Sequence, residues 1–447
     1  MKVLHITPHL GGGVGTVVLN WIEKEHEVNQ NVQHKIACLE KNKNDMQAYL
    51  DLGIAIHDDM YSNQSLLMEW VNQADIVLIH WWNHPALFDI MVNSEFPACR
   101  LVVWNHVSAL HPPYIHSNKL IEFADRFIFT SSVSYEAEEI INLPEHLKER
   151  LGVVWSSCGT DIFNGFKKQE HDGFNVGMTG TVDYGKLHPD FVKMCSNIRI
   201  PNVKFIVCSG DSQERVKDDA IRLNIADRFS FNGRVPSIMP YLAIYDIFGY
   251  PLQPKHLGTC EQALGEAMMA GVVPVVLNNA AEKYIIENGV TGIIADSKSE
   301  YCRAIEHLYH NADMRERISK NAIIAAREKY SITNKMMAWD KIFENILGRD
   351  KRKRLWDSHH SGTGADVFIE SLGNYGAIFC NYIDAKQHKN SEKLSNCERR
   401  IAELFHSNTQ WYSENKGGIK QYLRLFPQDK YLNEWKKLLE APLLRLS

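Results

Sequence analysis

The sequence lacks long apolar runs, paired cysteines and a leader-like start. No stretch approaches about 18 uninterrupted apolar residues, the length that crosses a membrane. The first residues pass directly into a strand-like segment, without the apolar region of a signal peptide. The nine cysteines are scattered and form no C-x-x-C pair, which argues against a disulfide framework and a zinc knuckle. These absences predict a reduced, cytoplasmic protein.

The chain also lacks an excess of positive charge. It has 49 Lys and Arg against 54 Asp and Glu, a formal net charge of -5. Nucleic acid is therefore not an expected partner. Its 447 residues are 45% hydrophobic and 23% charged, which predicts about three globular domains with sizeable cores.

Short apolar runs alternate with helix-like stretches up to about residue 347, in two series separated by the polar stretch 166–173. The runs are 3–6, 35–39, 76–79, 101–104, 127–130 and 153–155, then 176–178, 204–208, 229–231, 247–250, 272–276 and 292–295. Continuous apolar strands between helices are typical of parallel, doubly wound sheets. The sequence therefore predicts an α/β protein with Rossmann-like domains at 1–160 and 174–347. A ligand is expected in a cleft at the carboxyl ends of both sheets.

Residues 348–447 show no such alternation. Helices are predicted at 385–410 and 419–440, which gives a mostly helical C-terminal extension. We expect this extension to be dispensable for ligand binding in the second domain and to serve partner contacts or homo-oligomer assembly. Its aromatic residues either contact such a partner or bury the extension on the rest of the chain.

A glycine-rich segment, GGGVGT at 11–16, follows the first predicted strand. Gly12 and Gly13 would let the backbone approach a ligand closely, and a helix start nearby, expected around Val17, favours an anion. The spacing is not that of a dinucleotide fingerprint, and an ordinary tight turn is an equal alternative.

A second segment, GTCEQALGEAMMAG at 258–271, follows a predicted strand of the second domain and predicts a helix from Glu261. The N–H groups around Gln262 and Ala263 would face a phosphate, and Glu266 could accept hydrogen bonds from ribose or sugar hydroxyls. The alternative is an amphipathic helix capped by Thr259.

A third segment, GTVDYGKLH at 180–188, follows the first strand of the second domain. Lys186, expected at the head of a helix, is suited to a diphosphate partner. Most exposed lysines are merely solvated, so Lys186 alone is a weak signal.

Together these segments resemble retaining glycosyltransferases of the GT-B fold, specifically the nucleotide-sugar family 4 (group 1), over residues 1–347. In the first domain the glycine-rich loop and Asn105-His106 carry the resemblance, and Gly159-Thr160-Asp161 matches the hinge loosely. In the second domain the matching positions are Lys186, the segment Phe231 to Val235 with Arg234, and Glu266-Ala267-Met268. Two positions depart from the pattern: Thr181 replaces an arginine, and Gly258 replaces the first glutamate of an E-x7-E pair. Glu261, or Thr259 with Gln262, would then hold the sugar.

The resemblance implies transfer of a sugar from a nucleotide diphosphate-sugar to an acceptor hydroxyl, with retention and without a metal or cofactor. His106, Lys186 and Glu266 would be the catalytic residues, with Lys186 neutralising the diphosphate. Gly12, Gly13, Thr181, Arg234, Thr259, Glu261, Gln262 and Ala263 would bind substrate. The acceptor would be a saccharide or a lipid-linked sugar in bacterial surface polysaccharide or glycoconjugate assembly. The alternatives are a GT-B epimerase or phosphorylase, and a binding protein that has lost activity.

Other features have simpler interpretations. His80 and His84 have the spacing of a helical zinc pair, but a loop with Trp81 or Trp82 stacking on a sugar is favoured. The basic run 349–354 is interpreted as a linker, with contact to the inner face of a membrane as the alternative. His359 and His360 are predicted to be solvated.

Overall fold

The computed structural model describes residues 1–29, 31–41, 46–156, 159–210, 213–356, 362–414 and 416–441. The chain forms two compact units, one of Met1–Val154 with Met336–Ser447 and one of Trp155–Lys335. These bounds differ from the predicted domains, since residues after 348 belong with the first unit instead of forming a body of their own.

The strands are numbered in chain order. They are β1 (Lys2–Thr7), β2 (Gln33–Cys38), β3 (Ala55–His57), β4 (Ile76–Trp81), β5 (Phe96–Cys99), β6 (Leu101–Asn105), β7 (Arg126–Phe129), β8 (Leu151–Val153), β9 (Phe174–Thr179), β10 (Val203–Cys208), β11 (Phe229–Phe231), β12 (Ile247–Tyr250), β13 (Val273–Leu277), β14 (Ile293–Ala295) and β15 (Arg352–Arg354).

The helices are numbered in the same way. They are α1 (Gly12–Val28), α2 (Gln47–Asp51), α3 (Gln64–Gln73), α4 (Pro85–Asn93), α5 (Asn118–Phe123), α6 (Glu138–Ile141), α7 (Glu145–Lys148), α8 (Phe191–Asn197), α9 (Glu214–Arg222), α10 (Met239–Ile244), α11 (Gln262–Met269), α12 (Lys298–His310), α13 (Ala312–Lys329), α14 (Ile332–Leu347), α15 (Gly364–Ser371), α16 (Ala377–Gln387), α17 (Ser391–His406), α18 (Ile419–Leu425) and α19 (Lys430–Glu440).

Each unit is built on a parallel sheet. The order is β3-β2-β1-β4-β6-β7-β8 in the first unit and β11-β10-β9-β12-β13-β14 in the second. In both sheets the strand order reverses beside the first strand of the unit, which is the switch point of a doubly wound fold. The central strands are almost wholly buried, as continuous apolar runs require. The predicted fold class is confirmed.

The basic run at 349–354 is not a solvated linker, because part of it forms β15, antiparallel to β5. Arg354 is almost fully buried and its guanidinium donates to Asp125 and to the carbonyl of Cys99. Arg352 donates to the same carboxylate at 2.7 Å. These ion pairs attach the chain after α14 to the first unit.

The C-terminal helices complete the core of the first unit. Trp356 packs edge-on against Phe88, and Trp411, Tyr422 and Trp435 are fully buried. These aromatic side chains share one hydrophobic cluster with β1 and β4 residues. Of the two interpretations of the extension's aromatic residues, the structure therefore favours burial for these three.

The predicted C-terminal helices are interrupted in the structure. The segment at 385–410 comprises the end of α16 and α17, and the segment at 419–440 divides into α18 and α19 around Pro427. Within the described residues no helix is both long and apolar enough to cross a membrane. His359 and His360 lie outside the described residues.

Candidate active site

Lys186 lies in a tightly held loop between β9 and α8. Oδ1 of Asp183 accepts hydrogen bonds from the N–H groups of Gly185 at 2.9 Å and Lys186 at 3.0 Å. The N–H of Gln253 donates to the carbonyl of Lys186 at 2.9 Å. Lys186 is therefore five residues before α8 and not at the head of a helix, which corrects the sequence-based expectation.

Lys186 and Glu261 form an ion pair, with 2.9 Å between Nζ and Oε2. The same oxygen accepts the hydroxyl of Tyr250 at 2.7 Å. The Glu261 side chain is 5% exposed and that of Lys186 is 26% exposed. The pair is thus anchored on its buried, anionic side and accessible on its cationic side.

Glu261 reaches this position through an unusual backbone. It immediately precedes α11 with φ 34° and ψ 76°, a left-handed conformation that costs energy for a glutamate. Its carboxylate folds back over Gly258, where an added Cβ would lie only 1.6 Å from Oε1. Gly258 therefore leaves the space that the Glu261 carboxylate fills.

A second acid–base pair lies behind Glu261. Nε2 of the buried His256 is 3.2 Å from the Glu282 carboxylate, and its Nδ1 is 3.8 Å from Oε1 of Glu261. Burial lowers the pKa of His256, but the two carboxylates outweigh it and raise the pKa. For Glu261, burial opposes ionisation, yet Lys186, His256 and the Tyr250 hydroxyl hold its pKa at about 2. Glu261 is therefore anionic at neutral pH.

Glu266, on the second turn of α11, has a different environment. Within the described part of the chain its carboxylate forms no hydrogen bond or ion pair, and burial raises its pKa to about 7. Gln262 and Ala263 supply the first N–H groups of α11 and are partly exposed. A carboxyl group that titrates near neutrality beside a helix start can bind hydroxyls or a proton.

The other predicted residues of this unit are placed as follows. Thr259 is buried, and the residue that caps α11 is Glu261, so the alternative of a Thr259 cap is wrong. Thr181 and Arg234 are exposed, in the loop of Lys186 and after β11 respectively. The structure brings Lys186 and Glu261 into direct contact, whereas Thr181 and Arg234 have no described side-chain partner.

Two buried polar atoms at the carboxyl end of β10 were not predicted from the sequence. Oγ of Ser209 and Oε1 of Gln213 have no hydrogen-bond partner within the described residues. Buried polar atoms normally have partners, so these are candidates for contact with a ligand. No pattern around them in the sequence marks them as special.

In the first unit the glycine-rich segment is the first turn of a helix. α1 begins at Gly12, about five residues before the expected start, and Gly12 and Gly13 are exposed. Gly15 packs against β1's following turn, where an added Cβ would lie 1.9 Å from the carbonyl oxygen of Leu10. The close approach that needs glycine is therefore at Gly15, internal to the unit.

His106 follows β6 at the carboxyl edge of the first sheet. Its N–H donates to the carbonyl of Trp81 at 2.9 Å, and its Nε2 is 3.2 Å from Nδ1 of His80. The His106 and His80 rings are nearly parallel, with 12° between their planes and 5.4 Å between centroids, and His106 is partly exposed. His106 is therefore held by groups of β4 while remaining accessible.

The same edge carries His84 and Glu40, whose side chains are 3.1 Å apart. His84 also caps α4, accepting the N–H of Ala86, and its hydrogen bond lowers the pKa of Glu40. Trp82 packs on His9, whereas Trp81 is fully buried against Phe88 and cannot stack on a sugar. Within the described residues no cluster of His, Cys, Asp or Glu could hold a metal ion.

Comparison with known proteins adds the family-level finding. Residues 163–324 match the model of group 1 glycosyl transferases. No curated protein sequence matches the chain. The matched segment lies in the second unit and contains Lys186, Glu261 and Glu266.

Solved structures share the fold of the chain. A glycosyltransferase from Rickettsia africae is 14% identical with a TM-score of 0.61, over 78% of this chain and 99% of its own. HepE of Anabaena, solved with UDP, is 14% identical with a TM-score of 0.62, over 77% and 100%. A sucrose-phosphate synthase from Thermosynechococcus elongatus is 12% identical with a TM-score of 0.60, over 78% and 99%. The prediction of a glycosyltransferase with a GT-B fold is confirmed.

Proposed function

We propose that the protein transfers a sugar from a nucleotide diphosphate-sugar to an acceptor hydroxyl with retention of configuration, as a family 4 enzyme. The Lys186–Glu261 ion pair, inside the segment that matches group 1 glycosyl transferases, carries this proposal. A lysine ammonium has three N–H donors. Glu261 takes one of them and orients the group, and the others are available for a diphosphate.

The remaining donor contacts follow from the same loop and helix. The N–H groups of Gln262 and Ala263 complement the charge of the diphosphate, and Glu266 in its anionic form accepts the hydroxyls of the ribose. Thr181, Thr259 and Arg234 complete the donor site. Stabilising a departing diphosphate is an electrostatic task that needs no metal when a fixed cation and backbone dipoles supply the charge.

The nucleotide is proposed to be uridine diphosphate. HepE of Anabaena was solved with UDP and with UDP-glucose, and it shares the fold of this chain at low identity. The buried Ser209 and Gln213 oxygens at the end of β10 supply additional polar contacts for a ligand.

The first unit is proposed to bind the acceptor, a saccharide or lipid-linked sugar of bacterial surface polysaccharide assembly, through Gly12, Gly13 and His106. His106 combines anchoring with exposure, which suits a residue that touches a reacting hydroxyl. Lys353, an exposed cation of the 349–354 run whose side chain has no partner among the described residues, would provide contact with the inner face of a membrane. Homo-oligomer assembly would use the exposed faces of the C-terminal helices.

A panel of nucleotide diphosphate-sugars, with free nucleotide and sugar product measured in the presence of EDTA, tests the proposal. Transfer with released diphosphate and a retained anomeric configuration supports it. Conversion of the donor without transfer indicates an epimerase, and phosphate-dependent release of sugar 1-phosphate indicates a phosphorylase. Tight donor binding with no conversion of any donor indicates a binding protein.

The variant Lys186→Ala tests whether the lysine of the Lys186–Glu261 ion pair is needed for sugar transfer. Because it removes a charge-assisted contact to the developing diphosphate, turnover is expected to fall by about 10²–10³. The matched control is Lys193→Ala, which removes an exposed lysine of α8 in the same unit. Near-normal turnover of Lys186→Ala would contradict the role assigned to this residue.

A further inference from the structure

Four histidines of the first unit form a continuous hydrogen-bonded series. Nδ1 of His34 lies 2.8 Å from Nε2 of His5. Nδ1 of His5 is 2.9 Å from Nε2 of His80, and Nδ1 of His80 is 3.2 Å from Nε2 of His106. At the far end, Nε2 of His34 is 3.2 Å from the carboxylate of Glu25. Every ring has the same orientation, with Nε2 toward Glu25.

The series follows from the register of the sheet. His34, His5, His80 and His106 come from β2, β1, β4 and the end of β6, which are neighbours in the sheet. His34 pairs with Val3, which is two residues before His5 in β1. His5 in turn pairs with Leu78, which is two residues before His80 in β4. Because side chains alternate between faces, these steps of two residues place all four rings on one face, rising toward the carboxyl edge.

The series is isolated from water along most of its length. His5 and His80 are fully buried, and His34 and Glu25 are 8% and 3% exposed. Trp21 of α1 packs edge-on against His5, and Trp104 packs beside His80. Trp339 of α14 stacks on Trp21. Polar groups in such a site must bond to each other, since buried polar atoms without partners are costly.

The carboxylate fixes the direction of all four hydrogen bonds. An ionised Glu25 only accepts, so His34 must donate from Nε2, which makes its Nδ1 an acceptor. His5 must then donate from Nε2, and the same requirement passes to His80 and His106. If all four rings are neutral, this is the one arrangement in which each of the four hydrogen bonds contains one proton. Nδ1 of His106 is thereby left deprotonated.

We propose that Glu25, His34, His5 and His80 form a proton relay that keeps Nδ1 of His106 basic and carries a proton from His106 to Glu25. A proton binds Nδ1 of His106 while its Nε2 proton passes to Nδ1 of His80. The same transfer repeats at His5 and His34, and the Nε2 proton of His34 binds the Glu25 carboxylate. One proton enters and one is held by Glu25, and four neutral rings remain as Nδ1–H tautomers. The source of the proton, the acceptor hydroxyl, rests on the proposed function.

Beyond Glu25, α14 carries a carboxylate that interacts electrostatically with this end of the series. Asp340 of α14 is largely exposed, and its partial desolvation, together with the charges of Glu25 and Glu344, raises its pKa. The proton acceptor of the series therefore lies in a region of negative charge.

Histidine side-chain 15N NMR on the full-length protein tests the relay without depending on activity, because each tautomer has distinct nitrogen shifts. In the unaltered protein above pH 8, all four rings are expected as Nε2–H tautomers. In His5→Phe, the His80 ring has no acceptor for an Nε2 proton. His80 and His106 are then expected to switch to Nδ1–H, while His34 stays Nε2–H.

Two further variants keep the test decisive. Glu25→Gln retains the size of the side chain, and its amide can either donate to or accept from His34. A mixture of Nε2–H and Nδ1–H tautomers is therefore expected along the series. This variant provides the test if His5→Phe fails to fold. Phe343→Leu alters a buried ring that packs on Trp21 and Trp339 but is outside the series, and it should keep all four Nε2–H tautomers. An Nδ1–H tautomer in the unaltered protein, or unchanged His80 and His106 shifts in both chain variants, would overturn the relay.

Measurements of transfer activity then distinguish a failure of the relay from a failure of the proposed function. His5→Phe is expected to lower kcat for transfer about 10²-fold with donor KM unchanged, since a general base typically contributes 10²–10⁴. Absence of any transfer by the unaltered protein would refute the proposed function while leaving the tautomer result intact. The expected tautomers with an unchanged kcat in His5→Phe would refute proton transfer through the series.

Discussion

The Glu261 carboxylate occupies the space that a side chain at position 258 would need. The variant Gly258→Ala, which adds one methyl group there, therefore tests whether the position of this carboxylate matters for donor binding. The added Cβ would lie 1.6 Å from Oε1 and must push the carboxylate away from Lys186 and His256. We expect the second unit to lose about 1–3 kcal/mol of unfolding free energy, as overpacking typically costs. Nucleoside diphosphate binding, measured by calorimetry, should weaken roughly tenfold or more.

The matched control is Gly210→Ala in the same unit. An added Cβ at Gly210 meets no atom within 4 Å, so stability and binding should stay near those of the unaltered protein. Equal effects of the two substitutions would show that the space beside Gly258 has no special role.

Glu266 predicts a pH dependence of stability with a defined sign. Its pKa is about 7 in the folded protein against an ordinary 4.5, so the folded state binds the proton more tightly. The contribution of Glu266 to the stability of the second unit is therefore greatest below about pH 4.5, falls as the pH rises toward 7, and is level above that. Glu266→Gln removes this loss and should be more stable than the unaltered protein at pH 8, by up to about 3 kcal/mol.

Urea unfolding at pH 5 and pH 8 measures this effect, with Glu287→Gln, an exposed glutamate of the same unit, as the control. The same Glu266→Gln variant should bind nucleoside diphosphate more weakly at pH 8, because the anionic carboxylate that accepts ribose hydroxyls is gone. A variant that is less stable at pH 8, or that binds equally well, contradicts the assignment.

At the residue scale the sequence pointed to Lys186 and Glu261 separately and did not predict that their side chains contact each other. Lys186 and Glu261 are 75 positions apart, and the local pattern cannot show that they form an ion pair. The partners His256 and Glu282 were missed because a buried acid–base pair leaves no spacing signal. The histidine series was missed for a similar reason: β2, β1 and β4 each contribute one histidine, His106 follows β6, and only the register of the sheet aligns the four rings.

At the scale of elements, β15 is the point where the C-terminal part joins the first unit. Arg354 is 1% exposed at its side chain and bonds to Asp125, whereas Arg352 is 40% exposed and bonds to the same carboxylate. Burial lowers the pKa of Arg354, which depends on Asp125 and carbonyl oxygens for compensation.

Arg354→Ala is expected to cost about 3–5 kcal/mol, since it breaks a buried ion pair and leaves a cavity. Arg352→Ala, its matched control two residues away, should cost no more than about 1 kcal/mol because that pair is partly solvated. Chemical unfolding of the first unit measures both. Equal losses would mean that β15 is not anchored through the buried pair.

The elements themselves were largely predictable. All twelve apolar runs overlap strands, because strands buried on both faces must be continuously apolar. The missed strands β3, β5 and β15 are short and lie at sheet edges or in a separate two-stranded pair, where burial imposes little pattern. β5 contains Pro97 and β15 is entirely basic, and both compositions argue against a strand when read alone.

At the scale of the molecule, the packing of the C-terminal helices changes the expected result of truncation. A chain that ends at Gly348 loses β15 and the buried Trp411, Tyr422 and Trp435, so the first unit is expected to unfold. All described contacts of the Lys186 site lie within Trp155–Lys335, so nucleoside diphosphate binding should persist. The sequence-based prediction of retained donor binding thus stands, whereas an intact first unit is not expected.

Limited proteolysis with mass spectrometry, combined with calorimetry, measures both parts of this result against the full-length chain. Rapid cleavage within 1–154 and survival of a fragment near 155–335 are expected. A truncated chain whose first unit resists protease as well as the full-length protein would contradict the structural role of the C-terminal helices.

The first unit is interrupted in sequence by the whole of the second, and this has a consequence for synthesis on the ribosome. Strands β1 to β8 emerge first, but Arg354 and the helices that complete their core emerge only after Trp155–Lys335. At about 5–20 residues per second the delay is roughly 10–35 s. During it the second unit can close on its own contacts, while the earlier strands keep apolar surface and strand edges that a chaperone would recognise. The segment that is translated first, residues 1–154, therefore belongs to the unit that finishes folding last.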